Sequence, residues 1–485
     1  MQNIRYVLFL AVTAVLLGAL GYFATFSKLP DGIHFIRQAD SLSFVLNYLF
    51  FHDDFFKPTN FNLISEQGKA ASEFPIIYFL VAKAQALWNQ PAMLLRIAHA
   101  LIFFGGLQVF FIQLFKNKIP LLIAILATLT LCTSTIVLYY SNNYLPDIAA
   151  LGLTLAGVAL SLHTEKKQVL IAIELFTLAA LIKITYAIYP LAFLAVMFLF
   201  KKHYSFSTRY KVIYSFIFFT PILSWWMYVH YYNQGVENTY YANRAIPIWE
   251  TPQEQISATT DLILNYWKNS YYPPATQLML FCMLGAFIFF FKRIESFKKL
   301  YFGLVLAGLV CFVILFYQKF HDHDYYFMIV IPAIALLFQA VIPQLVSFCK
   351  TKYLKAGLYL FFLAPFIMSY RYVWIKIPNR WQTENYLQSH HASLEVMVSK
   401  LNQEDPEHLQ KILVVGDSTM NGTLYQLQRK GFSFPIIPVN EGEVISKEII
   451  ETVDWIVYLK KPGSMQSALP FSNIPEGEFP QLVKN

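Results

Sequence analysis

The sequence predicts an α-helical polytopic membrane protein that ends in a small α/β domain, and three observations carry that prediction. Of its 485 residues 56% are hydrophobic and only 14% are charged, too few charges to solvate a globule of this length. The apolar residues gather in runs of about twenty, the length that crosses a bilayer as a helix. The C-terminal stretch breaks that habit, being polar with short apolar runs of strand length. A soluble enzyme is excluded. The net charge of +8 sits in Lys and Arg clusters between apolar runs, which marks topology and gives no nucleic-acid footprint.

Taken in order, residues 6–26 follow Arg5 as a signal peptide would. The run is long and lacks a small-x-small cleavage site before Lys28, so it is read as an uncleaved first span. Apolar runs follow at 92–115, 119–140, 145–162, 169–200, 212–229, 275–291, 301–317, 325–348 and 354–375. Residues 169–200 are too long for one helix and carry the polar break Lys183-Ile184-Thr185, which predicts two short spans meeting there. The count is about eleven spans. With Arg5 inside, alternation places the later basic clusters inside as well, from Lys116 and Lys118 through Lys166 and Lys167 to Lys350 and Lys352. That register requires residues 74–88, which carry Lys83 and Gln85, to lie as an interfacial or re-entrant helix.

The opposite, outer face collects the first loop, the turn at 144–147, the loop 231–274, the turn 318–324 and the tail. The expected domains are a membrane domain, 1–376, with its first outer loop at about 27–91, and an outer-face soluble α/β domain, 377–485. In the tail, KILVVGDST reads as a buried strand entering a turn, with GFSFPIIPV and DWIVYL as further apolar runs.

These outer segments hold the candidate chemistry. The first loop packs Asp31, His34, Arg37, Gln38, Asp40, His52, Asp53, Asp54 and Lys57 among aromatic residues. Asp40, Phe44, Tyr48 and Phe51 have helical spacing, which predicts an amphipathic interfacial helix with Asp40 at its N-terminal end. A carboxylate, a guanidinium and an imidazole so close together suit a substrate with a lipid tail and a phosphate. Arg pairs bidentately with phosphate oxygens, and a carboxylate accepts the proton of an attacking hydroxyl. The competing reading is a solvated loop helix capped by Asp40. Glu73, before Phe74-Pro75, is a helix-start carboxylate or a substrate ligand, and Asp147, after Pro146, either complements a helix dipole or serves the same face. Lys183 lies at membrane depth or near the outer face, where an ionisable side chain is a functional candidate and snorkelling is the alternative. The turn with Lys319, His321, Asp322, His323, Asp324, Tyr325 and Tyr326 suits phosphate or sugar better than metal, because no separated ligand pair accompanies it. Loop 231–274 offers Tyr240, Tyr241, Arg244, Trp249, Glu250, Tyr271 and Tyr272 to sugar faces or to headgroups.

Cys132, Cys282, Cys311 and Cys349 show no CxxC or Cys/His spacing, so neither a disulfide framework nor a zinc site is indicated. ILVVGDSTMNG is similar to the first block of GDSL-type hydrolases, with Ser418 as nucleophile. No His follows His408 to act as its base, and that reading is discarded.

In their order these motifs resemble the GT-C membrane glycosyltransferases that use polyprenyl-phosphate sugars, the group of protein O-mannosyltransferases and lipid A aminoarabinose transferases. The nearest likeness is to bacterial members with an HxWRQ segment, here His34-Phe35-Ile36-Arg37-Gln38 with Ile36 in place of Trp. SEFPIIYFLVA, Leu145-Pro146-Asp147, Lys183, His323-Asp324-Tyr325-Tyr326 and the tail GDST follow. The resemblance implies an inverting transfer in which a loop Asp deprotonates the acceptor, the acceptor attacks the anomeric carbon, and polyprenyl phosphate leaves. It implies Asp40 or Asp31 as that base: Phe44 matches the aromatic spacing after Asp40, which is preferred, while Asp31 keeps a Pro-Asp start. Neither is followed by the Glu common in the family, and Phe74 stands where relatives often have Lys. It further implies His34, Arg37, Lys183 and His323 on the donor phosphate, and Gln38, Lys57, Glu73, Asp147, Asp324 and Tyr325 around the substrates. The implied partners are a polyprenyl-phosphate sugar and a glycan, lipid or protein acceptor. The implied place is a bacterial inner membrane, with site and tail on the periplasmic side. No metal site is assigned; a divalent cation is the one cofactor left open.

Two other classes compete. A transporter or flippase of lipid-linked saccharides would set ionisable residues near the midplane of broken helices and show inverted repeats, whereas here they cluster at one boundary without a visible repeat. An O-antigen-type polymerase or ligase would concentrate Arg and His in a late loop, and the dense loop here is the first.

Overall fold

Helices occupy the apolar runs. The computed structural model describes residues 2–52, 54–64, 66–85, 90–234, 245–382, 390–417, 419–434, 447–459 and 480–484. In chain order its helices are α1 Gln2–Ala19, α2 Phe35–Phe50, α3 Ile76–Ala84, α4 Pro91–Lys116, α5 Leu121–Cys132, α6 Thr135–Ser141, α7 Asp147–Ser161, α8 Lys166–Ile182, α9 Ile188–Leu199 and α10 Thr208–Tyr232. There follow α11 Gln253–Asp261, α12 Lys268–Tyr271, α13 Pro274–Phe289, α14 Ser296–Leu315, α15 Ile331–Phe348, α16 Lys352–Trp381, α17 His391–Glu404, α18 Gly422–Leu427 and α19 Lys447–Thr452. Among the described residues α4, α10, α14, α15 with its preceding 3-10 turns, and α16 are each long and apolar enough to cross a bilayer. Two bent pairs, α5 with α6 at 78° and Gln253–Tyr271 with α13 at 98°, would bring that number to seven. This is a multi-pass membrane protein.

The chain forms two compact units. The first, Met1–Phe26, Arg96–Trp226 and Arg244–Arg380, is a helical body. Its helices close on small residues: a Cβ on Gly106 of α4 would lie 2.0 Å from the Gly152 carbonyl oxygen of α7, and one on Gly157 would lie 2.6 Å from the Phe176 ring of α8. Such contacts are how helices associate where lipid leaves little hydrophobic drive between them. Broken helices need partners for their freed backbone groups. At the α5–α6 bend the Ser369 hydroxyl donates to the Thr133 carbonyl at 2.7 Å and Tyr272 donates to the Thr130 carbonyl at 3.0 Å. At the second break Lys183 is extended, with φ −147° and ψ 102°, between α8 and the 3-10 turn that leads into α9. This interruption falls on the polar triplet that marks it in the sequence.

The second unit, Ser27–Leu95, Met227–Asn243 and Trp381–Asn485, gathers the first loop and the tail. The tail sheet has the order β2-β1-β3-β4: β1 Ile412–Val415 pairs parallel with β2 Gly431–Phe434 and with β3 Trp455–Tyr458, and β4 Gln481–Lys484 runs antiparallel to β3. The central strand is apolar and buried throughout, as a parallel strand covered on both faces must be. The first loop adds to the sheet edge: Gly431 N–H donates to the Phe61 carbonyl at 2.9 Å and Leu63 N–H to the Gly431 carbonyl at 2.7 Å. Gly431 is sterically required there, because a Cβ would lie 1.8 Å from the Ile412 oxygen.

The helix α2 corrects one expectation. It begins at Phe35 with His34 at its N-cap, so Asp40 lies inside the helix and is neither its N-terminal residue nor its cap. A left-handed turn at Gly32 (φ 70°) and His34 (φ 59°) starts the helix early. The helix is buried continuously from Gln38 to Tyr48, with no solvated polar face over that length. The Asp40-capped, solvated loop helix is likewise not formed. Of the run 74–88, α3 covers Ile76–Ala84, and residues 86–89, Trp88 included, lie outside the described residues.

Candidate functional site

In the second unit the start of α2 carries most of the first-loop candidates. Gln38, fully buried, spends its amide on the turn before the helix: Nε2 donates to the carbonyls of Asp31 (2.6 Å) and Ile33 (3.0 Å), and Oε1 accepts the Asp31 N–H. Asp31 is therefore held by its backbone while its carboxylate stays partly exposed, with Oδ1 accepting the Gly32 N–H at 2.6 Å. His34 is half-buried beside it. One turn further on, the Arg37 guanidinium pairs with Glu73 Oε1. The Tyr78 phenol of α3 lies 3.2 Å from Glu73 Oε2 and 3.3 Å from Ser41 Oγ, and its ring stacks on Phe44 at 5.4 Å. Burial, and after it the Glu73 charge, pushes the Tyr78 phenol well above its usual range, so it remains a hydrogen-bond donor at neutral pH. The Arg37 side chain keeps 20% of its surface exposed, enough for a guanidinium edge to meet an anion.

Asp40 differs from Asp31. It has no exposed surface, and its Oδ1 accepts a 2.8 Å hydrogen bond from Asn421 of the tail. Lys57 is exposed, with its backbone N–H on the Asp54 carbonyl. Asp53 lies outside the described residues, as do Tyr240, Tyr241, Arg244 and Ser418.

In the first unit two carboxylates each hold a cation. Asp147, in the first turn of α7, is 3.1 Å from Lys183 Nζ at the α8–α9 break, and that ammonium also sits 5.7 Å from the Tyr325 ring centre and 5.8 Å from that of Tyr326. A partly buried ammonium held by one carboxylate and two ring faces follows the rule that charge among membrane helices is paired. Asp324 receives the Tyr140 hydroxyl on Oδ1 and the Arg380 guanidinium on Oδ2, both at 2.6 Å, and Tyr271 donates to its carbonyl at 3.3 Å. His323 turns Nδ1 toward the Lys319 carbonyl at 3.2 Å, with its ring against Tyr325 and Tyr326. Among the described residues no three His, Cys, Asp or Glu side chains converge as a metal-binding group.

Sequence reasoning missed Arg380, Tyr140, Tyr78 and Asn421. Arg380 left one signal, its place just past the last long apolar run, after Arg371 and Lys376. Tyr140 and Tyr78 are hidden among many tyrosines. In loop 231–274 Trp249 is exposed while Tyr271 and Tyr272 are buried in the helical body, so those two tyrosines are packing groups.

No protein-family model matches the chain, and no curated protein matches it. Solved structures do. The fold is similar to that of ArnT from Cupriavidus metallidurans bound to undecaprenyl phosphate, with a TM-score of 0.58 at 12% identity over 88% of this chain and 85% of that one. The apo state of the same protein matches with the same values. The chain thus has a fold like that of ArnT.

Proposed function

We propose that the protein is an inverting glycosyltransferase that moves a sugar from a polyprenyl-phosphate donor to an acceptor at the outer, periplasmic face of a bacterial inner membrane. The observation that carries this reading is the joint one of an ArnT-like fold and a guanidinium, Arg37, that Glu73 fixes with 20% of its side chain exposed, in the first turn of the helix that follows the partly exposed Asp31. In the reaction an acceptor O–H or N–H attacks the anomeric carbon, the carbon–oxygen bond to phosphate breaks, and polyprenyl phosphate leaves with the bonding pair. Asp31 takes the acceptor proton. It is favoured over Asp40 because a base has to come within hydrogen-bond reach of the proton it removes, and Asp40 is wholly enclosed. Arg37 and His34 are assigned to the charge that grows on the departing phosphate. Lys183 and His323 remain donor-phosphate candidates through the resemblance, with Gln38, Lys57, Glu73, Asp147, Asp324 and Tyr325 as shaping residues. Residues 377–485 are assigned to the outer face together with the first loop.

The test is a panel of labelled polyprenyl-phosphate sugars offered to the purified protein in lipid nanodiscs. Transfer with release of polyprenyl phosphate and inversion at the anomeric carbon is the expected result. Movement of an intact lipid-linked sugar across sealed vesicles, with no donor consumed, would replace this reading by the flippase, which the break at Lys183 also suits.

A further inference from the structure

Asn421 occupies the N-cap of α18, where asparagine ordinarily bonds its own helix, yet its side chain makes no such bond. Others take the work: Thr423 N–H donates to Asp417 Oδ2 at 2.9 Å and Gly422 N–H to Thr419 Oγ1 at 2.8 Å. The released Asn421 amide instead spans two points of the first loop. Nδ2 donates to Asp40 Oδ1 at 2.8 Å, Oδ1 accepts the Asn62 N–H at 3.1 Å, and the Asn62 side chain returns a bond to the Met420 carbonyl at 2.7 Å. A carboxylate only accepts and a backbone N–H only donates, so the amide has one possible orientation. Asp40 and Asn421 are both fully buried.

We propose that Asn421 is a positioning residue through which the tail domain holds α2 in register. The chain of bonds continues from Asp40 along α2 to Gln38, which fixes the Asp31 turn, and to Arg37, which pairs with Glu73. A buried polar group that loses its hydrogen bond is heavily penalised, so the enclosed Asp40–Asn421 bond ties the order of α2 to the seated tail. Asp40 then serves as an anchor, which leaves Asp31 for proton transfer; this last step rests on the transferase reading, whereas the anchoring does not.

The test compares the full-length protein in lipid nanodiscs with Asn421→Asp, Asp40→Asn and the double variant carrying both changes. Hydrogen exchange of the α2 amides reads docking without any substrate. Asn421→Asp sets two carboxylates face to face, and α2 should exchange about 10- to 100-fold faster, the scale of one charged hydrogen bond. Asp40→Asn keeps an amide–amide bond and should stay within about threefold of wild type. The double variant keeps both bonds, with donor and acceptor exchanged between positions 40 and 421 and the Asn62 N–H still donating to position 421, and should restore wild-type protection. Unchanged α2 protection in Asn421→Asp, or a double variant as labile as Asn421→Asp, would overturn the anchor. Turnover is the second readout, and it should follow protection, lost in Asn421→Asp and regained in the double variant. Restored protection with turnover still absent, in a preparation whose wild type turns over, would make Asp40 the base and overturn the positioning role. A wild type with no turnover fails the transferase reading alone, and exchange still decides the anchor.

Discussion

The two units hold their charges by different means. In the helical body Lys183 and Arg380 are met by Asp147 and Asp324 on neighbouring helix ends, inside an aromatic lining of Tyr139, Tyr140, Tyr325 and Tyr326. In the loop-and-tail unit Arg37 pairs with Glu73 but keeps 20% of its side chain exposed, and Asp40 is met by a neutral amide, Asn421, 381 positions away. The first arrangement follows from burying charge among helices, which demands pairing on the spot. The second leaves one guanidinium edge exposed and depends on the tail being in place. Of these cations Arg380 should carry stability, and Arg37 should carry function.

Replacing Arg380 by Ala breaks the sharpest case of the first kind. It leaves Asp324 uncompensated and should destabilise the body by about 3–5 kcal/mol, read as thermal unfolding in nanodiscs. A loss under about 1 kcal/mol would remove the distinction between the units. Arg37→Lys, which keeps the charge but not the planar fork, should lower turnover by about 10- to 100-fold while moving the unfolding midpoint little. The opposite pattern would make Arg37 a structural cation like Arg380. Gly431→Ala forces a methyl into the Ile412 carbonyl and should cost about 1–3 kcal/mol, confined to the loop-and-tail unit, where hydrogen exchange of β1 and β2 locates it.

A smaller effect depends on pH. Burial, followed by the Arg429 charge among the lowering influences, holds the His408 imidazole below its usual value, while the Gln428 carbonyl and Asp405 pull the other way. The unfolded tail therefore binds that proton more readily, and stability of the unit should fall as pH drops below about 6.5. Asp417, pushed up by burial, acts in the opposite sense from about pH 4 upward, so the comparison is with His408→Gln, whose profile should be flatter through that window. Smallest of all is the exposed His321–Asp322 pair: Asp322→Asn should change stability by less than about 0.5 kcal/mol.

The same contrast explains what could be read from the sequence. Hydropathy runs report burial directly, so the helices, the break at Lys183 and the strand ILVV were legible. The start of α2 was not. Its apolar spacing suggested Asp40 as the first residue, but the turn is set by left-handed backbone at Gly32 and His34 and by the Gln38 amide, none of which shows in a periodicity. Partners that lie far apart in the chain were equally hidden. Nothing in ADSLSF announces that Asp40 will meet Asn421, and nothing in IPNRW announces that Arg380 will meet Asp324. Burial of Asp40, a fact of packing, is what moves the proposed base to Asp31.

The most direct measurement is turnover of a polyprenyl-phosphate sugar by wild type, Asp31→Asn and Asp40→Asn in nanodiscs, with the unfolding midpoint of each taken alongside. An Asp31 base predicts a loss of at least about a hundredfold in Asp31→Asn at unchanged stability, with Asp40→Asn retaining most of its activity. Full activity in Asp31→Asn, or its loss in a stably folded Asp40→Asn, would contradict it.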